Sequence, residues 1–152
     1  MEFQTIFNAP FGPIRLHADE YGLQQIELFP IPSNVANRAS TILQQLEQQL
    51  TVYFSNAQIQ WEISLPTKGT AFQQKVWRYM QAIPVGETRS YGEVAKALNS
   101  SAQAVGNACR ANHFPIVIPC HRIVSKLGLG GFAGQTSGDS INVKRWLLDH
   151  ER

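Results

Sequence analysis

Thirteen residues in the last third of the chain, Asn-His-Phe-Pro-Ile-Val-Ile-Pro-Cys-His-Arg-Ile-Val at positions 112–124, set a cysteine beside a histidine. A thiol is a weak nucleophile until it loses its proton, and an imidazole within reach can take that proton. Cys120 and His121 are therefore the first candidates for covalent chemistry. The apolar run at 114–118 reads as a strand that delivers Cys120. Successive residues of a strand point to opposite faces, so the pair can cooperate only if the backbone turns near Pro119 or a water bridges the two groups. The other histidines carry less. His113 and His150 read as surface residues, His17 has no partner in the pattern, and no ligand spacing suits a metal ion. Cys109 shares a helical face with Val105 and reads as a small buried apolar residue.

The elements that must position this segment fall into two groups. In the first 66 residues, 3–8 and 14–19 alternate like strands around Ala-Pro-Phe-Gly-Pro turn chemistry, and 23–28 adds a third strand after Tyr21-Gly22. Ile42, Leu46, Leu50 and Tyr53 fall at helical spacing within 38–53, and 59–65 reads as a further strand before Pro66. Beyond Pro66 the pattern turns helical. Phe72, Val76 and Met80 share one face of a helix that ends before Pro84. Ser90 and Glu93 have capping-box spacing at the start of a second helix, which breaks at Asn99-Ser100. A short helix over 102–110 follows, and two helices across a tight turn suggest a helix-turn-helix. Its residues are small (Ala102, Ala104, Gly106, Ala108), which suits either tight helix packing or close approach to DNA. The expectation is an α+β fold: an N-terminal α/β supporting module over 1–66 with an antiparallel sheet, and a mainly helical, winged-helix-like domain over 67–152.

Composition narrows the function classes. With 152 residues, 43% of them hydrophobic, the chain can bury a core and is not a disordered segment. Its apolar runs are far shorter than the roughly 20 residues of a membrane span. The opening Met-Glu-Phe-Gln lacks a secretory pattern, and two cysteines make no disulfide framework, so a cytoplasmic setting is expected. The net charge of +2 conceals a polarity: residues 1–66 hold two basic against six acidic groups, and residues 67–152 hold eleven against five. A basic second half suits a polyanion such as nucleic acid, or is simply an uneven solvated surface.

Taken whole, Pro-Cys-His-Arg followed by Ile-Val resembles the O6-alkylguanine-DNA alkyltransferases (methylated-DNA–protein-cysteine methyltransferases). The resemblance spans about residues 69–151. It includes Phe-Gln-Gln-Lys-Val-Trp at 72–77, Ile-Pro-Val-Gly-Glu-Thr at 83–88 and Ser-Tyr-Gly-Glu-Val-Ala at 90–95. Ala-Val-Gly-Asn-Ala at 104–108 and Lys-Arg-Trp-Leu-Leu at 144–148 complete it. It implies direct repair of duplex DNA without a cofactor, by a monomer. The damaged guanine is flipped out of the stack, and its O6-alkyl group passes once and irreversibly to Cys120. The same resemblance implies His121 as general base through a water, with Glu151 holding the imidazole's other nitrogen. It implies that Tyr91 rotates the nucleotide and gives a proton to N3 of the guanine, and that Asn112 braces the turn before the acceptor. Backbone around Cys120, Ile123 and Ala133 is implied to hold the flipped base, with Phe132 as a wall. Ser90, Ala104, Gly106 and Arg110 join Gln103 on the DNA side.

Two departures stand out. The family usually has arginine where this chain has Gln103, which predicts weaker DNA binding or slower flipping. The family's Gly-Gly after the pocket aromatic is Gly134-Gln135 here, followed by a longer link over 136–142 to the last helix. Two other classes remain to be separated: a DNA-binding regulator with an incidental cysteine, and a Cys-His hydrolase that turns over many times.

Overall fold

The structure is a computed structural model and describes residues 1–126, 128–132 and 139–152. The chain forms two units, Met1–Pro66 and Thr67–Arg152.

In the first unit, β1 (Glu2–Ala9), β2 (Gly12–Asp19) and β3 (Gly22–Glu27) form an antiparallel sheet in that order. Both hairpins turn through two residues, closed by the pairs Ala9 with Gly12 and Asp19 with Gly22. The Asp19 carboxylate fixes the second turn by accepting from the Tyr21 and Gly22 N–H groups. Helix α1 (Thr41–Ser55) buries Leu43, Leu46, Leu50 and Tyr53. It starts later than residue 38 because the Arg38 backbone exchanges two hydrogen bonds with Gln4, so Ser40 takes the cap position. The strand expected at 59–65 is absent. Gln49 of α1 instead satisfies the Glu62 backbone, with Oε1 accepting its N–H and Nε2 donating to its carbonyl, both at 2.9 Å. A side-chain amide stands in for a neighbouring strand, and no periodicity encodes that.

In the second unit, α2 (Ala71–Gln81), α3 (Tyr91–Ala97), α4 (Ala102–Arg110) and α5 (Asp139–His150) surround the Cys120 segment. Thr70 and Ser90 close capping boxes with Gln73 and Glu93, satisfying amides that a helix start leaves free. Helices α3 and α4 are joined by residues 98–101 and pack on each other. Helix α2 buries Val76, Trp77 and Met80 and anchors α4 through Trp77 Nε1, which donates to the Ala108 carbonyl at 2.9 Å. Two short strands, β4 (Arg89–Ser90) and β5 (Ile123–Val124), pair in parallel. That ladder sets the start of α3 beside the chain leaving Cys120. No helix among the described residues is long and apolar enough to cross a membrane.

Candidate active site

The approach to Cys120 is a compact loop, not the strand that the apolar run suggested. Asn112 spans it: Oδ1 accepts from the Phe114 N–H and Nδ2 donates to the Ile118 carbonyl, both at 2.9 Å. Ile116 sits at φ +78°. For a β-branched residue this costs about 1–3 kcal/mol, which the surrounding bonds must offset. At Pro119, φ −82° and ψ 67° describe an inverse γ-turn, closed by the Cys120 N–H donating to the Ile118 carbonyl at 2.8 Å. A single 3-10 turn, Cys120–Arg122, follows at once. The backbone therefore does turn at the proline, and Cys120 and His121 are not splayed to opposite faces of a sheet.

Behind the cysteine lies a buried ion cluster. His121 Nε2 is 2.7 Å from Glu151 Oε2. Arg122 grips the same carboxylate through Nε at 2.9 Å and Nη2 at 3.0 Å, while its Nη1 donates to the Ile83 carbonyl at 2.8 Å. Because the carboxylate accepts, Nε2 carries the imidazole hydrogen and Nδ1 keeps a lone pair. That Nδ1 is buried and makes no hydrogen bond among the described residues. Burial pulls the His121 pKa below its usual value despite the pull of Glu151 in the other direction, so the ring is held neutral. Burial pushes the Cys120 thiol up, with the Asn112 side chain and the Lys144 charge opposing. The resting state is a neutral thiol near a neutral imidazole. Glu151 does not fray: its N–H donates to the Leu147 carbonyl, and Leu147 is fully buried on α5.

Lys144 and Arg122, which belong to the sequence motifs but have no role assigned by them, are charged residues of the site. Lys144 Nζ donates to the carbonyls of Ile123 at 2.6 Å and Gly131 at 2.8 Å. Burial lowers its pKa to about 8, with the thiols Cys120 and Cys109 pulling the other way. A signal existed for it: Lys144 lies on the buried face of α5 with Ser140 and Leu147, and Glu151 continues that spacing. Tyr91, at the first position of α3, donates its hydroxyl to the Gly131 carbonyl at 3.3 Å. Burial, reinforced by the two thiols, pushes its pKa up to about 12, so the phenol keeps its proton. Gly130, at φ +72°, is needed here, since a Cβ would lie 2.9 Å from the Tyr91 ring.

Cys120, Tyr91, Ser90, Gln103, Gly106, Arg110 and Phe132 line one cavity of about 980 Å³. His121 and Glu151 sit behind it, fully or nearly fully buried. Ala104 is half-buried on α4 and Ile123 is buried on β5, and neither side chain lines the cavity. Ser90 Oγ is engaged in its cap. Ala133, Gly134, Gln135 and Thr136 lie outside the described residues. Cys109 is half-buried rather than buried, because it faces this cavity instead of the core.

A thiol that lines a cavity beside two short helices, followed in sequence by a neutral imidazole held by a buried carboxylate, has the components of a Cys-His-carboxylate arrangement. Residues 71–152 match the family model "6-O-methylguanine DNA methyltransferase, DNA binding domain". A methylated-DNA–protein-cysteine methyltransferase of Methanosarcina acetivorans is 33% identical, over 98% of this chain and 97% of its own. The crystal structure of Mycobacterium tuberculosis O6-methylguanine methyltransferase superposes with a TM-score of 0.81 at 33% identity, over 99% of this chain and 93% of that one. A structure of Mycobacterium tuberculosis OGT in complex with DNA is equally similar, with a TM-score of 0.81 at 33% identity over 98% and 92%. The chain belongs to the methylated-DNA–protein-cysteine methyltransferase family.

Proposed function

We propose that the protein repairs duplex DNA by taking the alkyl group of O6-alkylguanine onto Cys120, once per molecule. The observation that carries this is the His121 lone pair. With Nε2 committed to Glu151, Nδ1 is a base with no hydrogen-bond partner among the described residues, on the residue that follows the thiol. In the reaction, the Cys120 proton passes to His121 through a water. The sulfur bonds to the alkyl carbon, and the carbon–O6 bond breaks with its electron pair left on the guanine. The guanine takes a proton from the Tyr91 hydroxyl, whose high pKa keeps that proton available until negative charge develops on the ring. Lys144 keeps a donor on the Gly131 carbonyl when Tyr91 turns away from it. The thioether that results is inert, so turnover stops.

DNA binding is assigned to α3 and α4 as a helix-turn-helix, with Arg110 and Gln103 at the cavity and Ala104 beside them on α4. Gly106 favours close approach to DNA over tight internal packing. A Cβ there would meet nothing within 4 Å, so the roughly 1 kcal/mol that glycine costs a helix serves no internal contact. The cavity, about 980 Å³ and lined by Tyr91 and Phe132 among others, has volume for an extruded base, which supports flipping. Backbone at Ile123 and at Ala133 is assigned to hold that base. O4-alkylthymine, a smaller ring with an equivalent exocyclic oxygen, is a second substrate within the same reading. Residues 1–66 are assigned a supporting role, and a working thiol suits a monomer in the reducing cytoplasm.

The test is intact mass after incubation with excess duplex carrying one O6-methylguanine. The expected result is one gain of about 14 Da, a CH₂ for a hydrogen, absent in Cys120→Ala. Repeated product release without a mass gain would instead indicate a hydrolase. Binding with neither would indicate a lesion recogniser or a regulator.

A further inference from the structure

Lys144 is fully buried, yet it forms no ion pair with a carboxylate among the described residues. A buried ammonium without a counter-ion is costly, and the usual remedy is to give up the proton. The titratable groups that it faces are Cys120 and Cys109, which favour its charge, His121, whose charge it disfavours, and Tyr91, whose ring centroid lies 5.8 Å from Nζ. Burial outweighs the thiols and lowers its pKa to about 8, so at neutral pH the proton is present but loosely held. Tyr91 stands at the other extreme, pushed up to about 12. Both groups donate to one acceptor: the Gly131 carbonyl takes Lys144 Nζ at 2.8 Å and the Tyr91 hydroxyl at 3.3 Å. A loose holder and a tight holder of a proton are gathered on a single oxygen.

The proposed transfer leaves charge to be placed. Once the Cys120 proton is on His121 and the Tyr91 proton is on guanine, the protein holds an imidazolium and a phenolate, opposite charges separated in a site with little water. We infer that Lys144 gives its proton to the Tyr91 oxygen as the tyrosine gives its own to guanine. The Lys144 N–H bond breaks with its electron pair kept on nitrogen, the phenol O–H bond is restored, and the lysine ends as a neutral amine. The site then carries one positive charge throughout, on Lys144 at the start and on His121 at the end, and no phenolate remains. An ammonium has three donors. The amine that is left keeps two, enough for the Ile123 and Gly131 carbonyls that Nζ already holds at 2.6 and 2.8 Å. The inference rests on the proposed alkyl transfer and on proton donation by Tyr91.

The experiment measures single-turnover rates for the wild-type chain, Lys144→Met and Lys144→Arg on two duplexes. One carries O6-methylguanine. The other carries O6-methyl-3-deazaguanine, in which a C–H replaces N3 and the Tyr91 proton has no recipient. On O6-methylguanine, Lys144→Met is expected to be slower than wild type by about tenfold or more, the scale of a lost general acid. Lys144→Arg keeps the charge but holds its proton too tightly to pass it on, and is expected to be as slow. On the 3-deaza duplex both variants are expected to match the wild type within about twofold, because no proton is called for. The wild-type rate on O6-methylguanine is expected to fall as pH rises through about 8, and the rate on the 3-deaza duplex is not. Folding is followed by thermal melting, and if the variants do not fold, the two wild-type pH profiles decide. Equal slowing on both duplexes would mean that Lys144 only braces the site. A wild-type rate in Lys144→Arg, or a plateau continuing well above pH 8 on O6-methylguanine, would likewise overturn the inference. A wild type that alkylates Cys120 from neither duplex would sink the alkyl-transfer reading itself.

Discussion

Each unit of the molecule contains an arginine and a histidine on one glutamate, and the proposed function gives a chemical role to only one of the two clusters. In the first unit, His17 Nε2 lies 2.9 Å and Arg15 Nη1 3.3 Å from the same oxygen of Glu27. In the second, His121 and Arg122 hold Glu151 through three contacts of 2.7–3.0 Å. Residue types and distances nearly coincide; solvent does not. The His17 and Glu27 side chains are 29% and 23% exposed, against 0% and 1% for His121 and Glu151. Arg15 also donates to the Ile31 carbonyl, so its cluster straps the segment after β3 to the sheet. Arg122 instead ties Glu151 to the Ile83 carbonyl just beyond α2, and His121 Nδ1 has no hydrogen-bond partner among the described residues. The same three side chains make a strap where water screens them. Where it does not, they hold a neutral imidazole in one tautomer, which is what the proposed base requires.

The sharpest way to break this comparison is Glu151→Gln. Loss of the carboxylate removes the group that fixes the imidazole tautomer, and single-turnover transfer should slow by about a hundredfold or more. Stranding the Arg122 guanidinium should also cost about 3 kcal/mol, read as a lower urea midpoint. A rate within about twofold of wild type would remove Glu151 from the mechanism.

A smaller effect is expected in the pH profile. Because burial holds the His121 pKa below its ordinary value, the transfer rate should stay on its plateau as pH falls through about 6.5 and decline only below that. The unfolded chain protonates this histidine first, so stability also declines as pH falls below about 6.5. In Arg122→Met, the repulsion between the guanidinium and a protonated ring is gone, and the acid limb should move to higher pH. An acid limb that does not move would mean that Arg122 only braces Glu151.

How far the sequence reveals the site depends on which kind of interaction does the positioning. Local signals were plain. Ser90 and Glu93 cap α3 as their spacing predicts, and α4 runs over 102–110 because a cap residue, a periodic face and Ala111-Asn112 bound it. The path to Cys120 departs from the expected strand because Phe-Pro-Ile-Val-Ile has strand composition while its conformation is set by the two Asn112 side-chain bonds and by Ile116 in the left-handed region. β4 and β5 are two residues each, too short for a period to register. Spacing gives Lys144 and Arg122 no role in the site because lysine and arginine ordinarily mark surface. Here both are buried on carbonyls or a carboxylate, contacts that exist only once α5 has docked. The fold class followed from patterning; the electrostatics of the site followed from burial, which no spacing reports.

The gentlest test of the comparison is made on the other cluster. Burial alone would raise the Glu27 pKa, but the His17 hydrogen bond and the charges of Arg15 and His17 outweigh it, and the net shift is downward. A carboxylate with a lowered folded pKa stabilises the fold above its unfolded value near 4.5, and that contribution is lost as pH falls through the folded value. Glu27→Gln should therefore cost less than about 1 kcal/mol at neutral pH, as screened pairs do. The gap in urea midpoint between wild type and variant should close as pH is lowered below 4.5. Transfer to Cys120 should proceed at the wild-type rate, since Glu27 orients no base. A midpoint gap that persists at low pH would assign the loss to packing and not to charge, and a slowed transfer would show that the strap in the first unit supports the chemistry of the second.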